Sequence, residues 1–172
     1  MQAIRDAEPA DLPFLHDVER DADRLFASVL GDVVWDASSG SWRAAQPGFL
    51  LVTGRPPVGF AHVLDLDGHL HVEQLCVRRR HQRLGLGGAL LEAACEEAAA
   101  RGVARITLMT YADIPWNGPF YTRHGFAELS AEQAQELPFI TRLRAAEEAL
   151  NLSDHGRRIM MARDLAPSSS SR

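Results

Sequence analysis

With 172 residues, 46% of them hydrophobic and 24% charged, the chain has the size and composition of one soluble globular domain. A formal net charge of −5, with seven histidines counted neutral, argues against a general affinity for nucleic acid, which needs basic surface to displace counterions. One local basic patch stands at residues 78–83. The first 30 residues are acidic and amphipathic, which fits neither a signal peptide nor a membrane span, so a cytoplasmic protein is expected.

Residues 2–7, QAIRDA, alternate weakly and read as a first or edge strand. In PADLPFLHDVERDADRLFASVL (9–30), Leu12, Leu15, Val18, Ala22, Leu25 and Val29 recur at spacings of three and four. That pattern predicts a helix with one buried face and Asp11 as its N-terminal cap. Residues 31–47 hold Gly, Ser, Pro, Trp35 and Trp42 and read as a loop with or without a short helix. Three strands are expected next: 48–54, 57–68 and 69–77. Arg55-Pro56-Pro57 makes the first tight turn and Asp67-Gly68 the second, so the three form an antiparallel meander.

The segment HQRLGLGGALLEAACEEAAARG (81–102) writes a good helix and begins it with Gly85, Gly87 and Gly88, although glycine inside a helix costs about 0.5–1 kcal/mol relative to alanine. Two readings account for this. Glycines at a helix N-terminus let an anion such as a diphosphate come against unpaired backbone amides, or they let helix and strand pack closely. Gly102 is a plausible C-terminal cap. Residues 103–111 follow as a strand, and 70–111 form a parallel crossover unit. After the loop DIPWNGP (113–119) come a short helix in FYTRHGF ending at Gly125, polar helical segments over 130–150, and a final strand at 156–165. One domain spans 1–166, and 167–172 (PSSSSR) is expected to be a disordered tail. Cys76 and Cys95 lie in apolar runs and read as reduced core thiols. No CxxC, HExxH or clustered His/Cys spacing supports a metal.

Two familiar phosphate loops fail on these residues. A P-loop needs GxxxxGK[ST], but Leu90 stands five positions after Gly85. The dinucleotide fingerprint needs glycine at 90 and an acidic residue near 105, where the chain has Leu90 and Arg105. What does fit is Gln82-Arg83-Leu84-Gly85-Leu86-Gly87, the pattern [QR]xxGx[GA] after a strand ending at Val77. It resembles the coenzyme A pyrophosphate loop of the GNAT (GCN5-related N-acetyltransferase) superfamily. NGPFYTRHGF (117–126) resembles the family's later segment, an asparagine followed by Tyr-x-x-x-Gly-Phe, and the order of elements over 1–165 is also similar. The interval from Asn117 to Tyr121 is shorter than in many relatives.

The resemblance implies a mixed α/β (α+β) fold: a central, mostly antiparallel sheet flanked by helices, with a parallel splay between the strand at 69–77 and the strand at 103–111. It also implies an acetyl-CoA-dependent N-acetyltransferase that passes the acetyl group directly to a primary amine. Amides of Gln82, Arg83, Leu84, Gly85, Leu86, Gly87 and Gly88 would bind the pyrophosphate. Arg78, Arg79, Arg80 and Arg83 offer charge, at least two of them expected to be no more than a solvated turn. Pantetheine would lie along Leu75, Cys76 and Val77 like an added strand, with the Leu75 amide as donor to the thioester oxygen. Tyr121 would protonate the leaving thiolate. Asn117 would bind the pantetheine arm or cap the short helix.

An amine of pKa about 10.4 is free base to only a few parts in ten thousand at pH 7, so a base must act directly or through water. Glu73 and His71, on one face of the entering strand, are the candidates. Helix 11–30 and loop 31–47 would wall the acceptor side. There Glu19, Asp21, Asp23 and Asp36 either attract a cationic amine or form a solvated face, and Trp35, Trp42 and Trp116 either line a pocket or pack in the core. A small-molecule or amino-acid-like acceptor is expected. Alternatives are a protein lysine or N-terminal acetyltransferase, and a non-catalytic coenzyme A-binding module. No nucleic-acid, membrane or metal partner is expected, and a homodimer is compatible with the sequence.

Overall fold

The computed structural model of the chain describes residues 3–31 and 35–166. The turn signals organise its sheet. β2 (Gly48–Thr53), β3 (Gly59–Leu66) and β4 (His69–Val77) form the expected meander, and β1 (Ile4–Asp6) pairs antiparallel with β2 at the edge. Gln2 and the tail at 167–172 lie outside the described residues. Glycine-led helix α4 (Leu86–Ala100) crosses over to β5 (Arg105–Tyr111), which runs parallel to β4. β7 (Arg158–Asp164) then inserts antiparallel beside β5. A two-residue strand that the sequence does not signal, β6 (Ala127–Glu128), completes the order β1-β2-β3-β4-β5-β7-β6. Every pairing except β4–β5 is antiparallel, as the resemblance implied.

Each face of the sheet is covered by apolar side chains at helical spacing. On one face Leu90, Leu91, Ala94 and Ala98 of α4 are fully enclosed against Ala61, Val63, Val72, Ile106 and Leu108 of the strands. Such a site cannot collapse around a deletion. Leu90→Ala is expected to cost about 2–5 kcal/mol of stability, measurable as a lowered urea midpoint at unchanged slope. On the other face Leu15 and Val18 of α1 (Leu12–Asp23) pack on Leu50, Val52, Phe60 and Cys76. The two free cysteines are both buried, one on each face.

Three local expectations are corrected. The helix read over 9–30 is two pieces, α1 and the single turn α2 (Ala27–Leu30). Between them, the amides of Leu25 and Phe26 bond three residues back, to Ala22 and Asp23, and the tightened turn swings Phe26 against Trp35, Trp116 and Tyr111. Val29 is consequently 51% exposed rather than buried. Asp11 does not cap α1: its carboxylate accepts from both guanidinium nitrogens of Arg5 (2.6 and 2.8 Å) and from the Glu8 amide (2.8 Å). The loop after α2 does contain a short helix, α3 (Gly40–Ala44), capped by Ser39. Among the described residues the remaining α-helices are α5 (Gly118–Arg123), α6 (Ala131–Gln135) and α7 (Ile140–Ala149).

Candidate functional site

The sheet opens where its one parallel pair ends. β4 and β5 pair only from Leu70↔Ile106 to Val72↔Leu108. Immediately beyond, β4 carries an extra residue against β3. His62 faces Gln74 and Val63 faces Val72, so Glu73 is the bulged residue. The Arg78 amide bonds back to Val58 of the β3 side. Alternation along a strand turns the Cys76 amide the same way and the Leu75 and Val77 amides to the open edge. The Val77 carbonyl on that edge accepts from the Gln82 side chain at 2.9 Å, which ties the following loop back to the strand end.

The three glycines divide the two readings between them. Gly85 has φ +79° and begins α4 in the left-handed region that favours glycine. At Gly88 a Cβ would lie 2.7 Å from Cε1 of His124, so this position serves the close approach of α5's end to α4. At Gly87 a Cβ would meet Phe120 Cζ at 3.7 Å and Val77 Cγ2 at 3.9 Å, ordinary contacts that packing does not forbid. All three border a cavity of about 1200 Å³, and Gly87 is the one at which packing leaves that side open.

That cavity gathers most of the residues read from the sequence. Leu75, Cys76, Val77, Gln82, Arg83, Gly85, Gly87, Gly88, Asn117 and Tyr121 all line it, as do Glu73 and His71. Leu84 and Leu86 do not: Leu84 is 65% exposed and Leu86 is in the core, so each has only a backbone amide to offer a ligand. Of the four arginines, Arg83 alone borders the main cavity. Arg78, Arg79 and Arg80 surround a separate hollow with Asp21, whose carboxylate accepts from the Arg79 amide at 2.8 Å. Arg123 and His124 join the wall without having been singled out. They sit within the Tyr-x-x-x-Gly-Phe segment; His124, three residues after Tyr121, stands at a helical spacing that could have found it, whereas Arg123, two after, carried no such signal.

Tyr121 is half-buried, its ring set between Phe120 (5.2 Å between centroids) and Phe126 (5.9 Å). Its hydroxyl has no hydrogen bond among the described residues, and burial pushes the phenol up, so it holds its proton at neutral pH. The Asn117 carbonyl accepts from the Tyr121 amide at 3.0 Å, while its side chain caps nothing and borders the cavity.

The two base candidates stand in different surroundings. His71 is buried with Nδ1 2.9 Å from Thr107 Oγ1, and burial lowers its pKa to about 4, so it is neutral at pH 7. Burial alone would push the Glu73 carboxyl up. A hydrogen bond from His62 and the charge of Arg43 together outweigh it and hold Glu73 below the ordinary range. Glu73 therefore stands ionised on the cavity wall.

Across from the strand edge, Phe26, Trp35, Tyr111 and Trp116 form an aromatic wall, with ring centroids 5.3–6.2 Å from that of Phe26. Glu147 accepts from Arg158 (Nε at 3.1 Å), whose guanidinium lies 4.5 Å above the Tyr111 ring. Glu19, Asp23 and Asp36 border the cavity; Asp21, paired with Arg79, does not. Burial, with the Glu19 charge second, pushes Asp23 up to about 7. Trp35 and Trp116 line the cavity, whereas Trp42 is 45% exposed beside His62.

The sequence and the fold have counterparts. A Bacillus subtilis (strain 168) protein, the uncharacterized N-acetyltransferase YjcF, is 31% identical over 80 residues, 46% of this chain; the match spans about half of that relative, 55%. The fold is similar to that of the ribosomal-protein-S18-alanine N-acetyltransferase from Escherichia coli (TM-score 0.64, 22% identity, 100% of this chain and 99% of that one). It is also similar to N-acetylglutamate synthase from Neisseria gonorrhoeae complexed with coenzyme A and N-acetyl-glutamate (TM-score 0.68, 18% identity, 96% of this chain and 35% of that one). Among the described residues no helix is long and apolar enough to cross a membrane. Residues 4–126, from the first strand through the end of the Tyr-x-x-x-Gly-Phe segment, match the family model of the acetyltransferase (GNAT) family, and the chain belongs to that family.

Proposed function

We propose that this protein transfers the acetyl group of acetyl-CoA directly to a primary amine of a small-molecule or amino-acid-like acceptor. The observation that carries the reading is the meeting, in one cavity, of a free strand edge at Leu75–Val77, a glycine-lined helix N-terminus at Gly85–Gly88, the protonated Tyr121 and the ionised Glu73. Acetyl-CoA supplies an activated thioester and a diphosphate. The amides that open α4 and the Arg83 guanidinium suit the diphosphate, and the open side at Gly87 leaves it room.

The Leu75 amide, fixed by the sheet, is a preorganised donor to the oxygen that gathers charge during transfer. Asn117 steadies the arm of the donor. Glu73 takes the acceptor's proton, directly or through a water, and Tyr121 returns one to the departing sulfur. His71, neutral and bonded to Thr107, is the second base candidate on the same strand. The aromatic wall and the acids Asp36 and Asp23, the latter ionised in part near neutrality, favour a compact, cationic acceptor over an extended protein segment.

Thermal shift with acetyl-CoA and with coenzyme A, followed by a thiol-release screen over amines, tests this. At 100 times the dissociation constant, linkage adds about 2.7 kcal/mol of stability. A shift with turnover on an amine class is the expected result. A shift without turnover on any amine would instead indicate a non-catalytic coenzyme A-binding module. No shift at millimolar acetyl-CoA would refute the reading.

A further inference from the structure

No motif marks Arg43, a residue of the single-turn α3, yet its side chain is 1% exposed and lies behind the cavity wall. Nη2 donates to Glu19 Oε2 at 2.7 Å. Nη1 donates to Glu73 Oε2 and stands 3.0 Å from His62 Nδ1, which is itself 3.0 Å from the same Glu73 oxygen. The other Glu19 oxygen accepts from Gln74 at 3.0 Å. The Phe60 ring lies 5.1 Å from the guanidinium carbon. Four segments that are distant in sequence, α1, α3, β3 and the bulge of β4, are thus joined through one cation.

A buried ion pair is weak evidence of a stabilising purpose, because well-packed apolar side chains of similar volume often serve the fold as well or better. Two details direct this one at the cavity instead. Both carboxylates belong to residues of the cavity wall, while the buried Arg43 Nε is left without a hydrogen bond among the described residues. Glu73, 30% exposed, is held through Oε2 alone, and Oε1 has no hydrogen bond among the described residues. Without Arg43, Glu19 and Glu73 would share a poorly hydrated hub with no cation between them, and one would retain a proton at neutral pH.

We infer that Arg43 is a positioning residue for acetyl transfer, holding the Glu73 carboxylate by one oxygen at the cavity wall, ionised and with its other oxygen available to the acceptor's proton. The inference rests on the acetyl-transfer reading of the cavity. Other ionisable groups surround Glu73: Glu19 and Asp23 of α1, His62 of β3, His71 and Cys76 of its own strand, and, on the cavity's other walls, Arg158, Glu147 and Tyr121. A rate profile alone could therefore report His71, so the titration must be read on Glu73 itself.

The experiment compares wild type, Arg43→Met and Arg43→Lys by carbon NMR titration of the Glu73 carboxyl, assigned with Glu73→Gln. The pH profile of kcat/KM is taken alongside in the thiol-release assay. In Arg43→Met the Glu73 midpoint is expected to rise by about one pH unit or more, with the acidic limb of kcat/KM following it. Arg43→Lys restores most of both. A merely structural role would lower the folded fraction and leave the acidic limb of kcat/KM in place, and an unmoved Glu73 midpoint overturns the inference. A moved midpoint with a stationary acidic limb overturns the positioning role and leaves acetyl transfer standing. Absence of turnover in wild type on every amine overturns both. If Arg43→Met does not fold, Arg43→Met with Glu19→Gln is titrated against Glu19→Gln alone; the Glu73 midpoint is expected to rise still, by less than with both carboxylates present, and an unmoved midpoint overturns the inference.

Discussion

A Gly87→Glu protein is expected to fold normally and show no binding of coenzyme A at concentrations that saturate the wild type. The new Cβ meets only Phe120 and Val77, at 3.7 and 3.9 Å, so nothing in the packing resists it. Replacing a glycine inside helix α4 should even add a few tenths of a kcal/mol to about 1 kcal/mol of helix stability. The longer side chain then has the cavity as its space, and it sets a carboxylate against the amides that would hold the diphosphate. Calorimetric titration of the variant, with its melting temperature measured alongside, separates the two effects. Retained micromolar affinity would mean that the glycine loop is a packing device and would remove the basis for placing the diphosphate there. Gly87→Ala provides the graded control, with a smaller loss.

Tyr121→Phe is expected to lower kcat by about 10–10³-fold while leaving the dissociation constant of coenzyme A within a few-fold. The hydroxyl has no hydrogen-bond partner among the described residues, so its removal leaves no protein group unsatisfied, and the ring keeps its contacts with Phe120 and Phe126. Stability should hardly change, which makes the variant a clean test of proton donation. Burial raises the phenol's pKa, so wild-type Tyr121 remains a proton donor up to alkaline pH and should introduce no limb of its own near neutrality. Turnover equal to wild type would assign the tyrosine to packing alone.

Legibility in the sequence followed the range of the interactions. The meander was readable because Asp67-Gly68 and Arg55-Pro56-Pro57 punctuate apolar runs, and α4 because an alanine-rich run follows three glycines. The loop from Gln82 to Gly87 and the segment from Asn117 to Phe126 are short motifs whose residue types alone suggested the family. Reading failed where a distant partner outbid a local preference. Asp11 could have capped its helix, but Arg5 takes its carboxylate. The helix pattern continued past Asp23, but Phe26 turns into an aromatic wall whose other members come from residues 35, 111 and 116.

By itself, then, the sequence determined the order of the main strands and helices, the core-facing stripe of α1, the glycine-led helix and its coenzyme A-like loop, and the candidacy of Tyr121 and Glu73. The elements are written in periodicities and turn signals within a few turns of chain, and the loop and Tyr121 in short motifs that resemble the family's. Only the tertiary structure decided at which glycine a side chain would be blocked by a neighbour and at which it would not, that Arg83 alone of the four arginines at 78–83 reaches the cavity, and that Arg43 holds Glu73. The last of these depends on where residues 19, 43, 62 and 73 meet. Neighbours along the chain do not encode that meeting; it follows from packing the two faces of one sheet and from the bulge that sets Glu73 against Arg43 and His62.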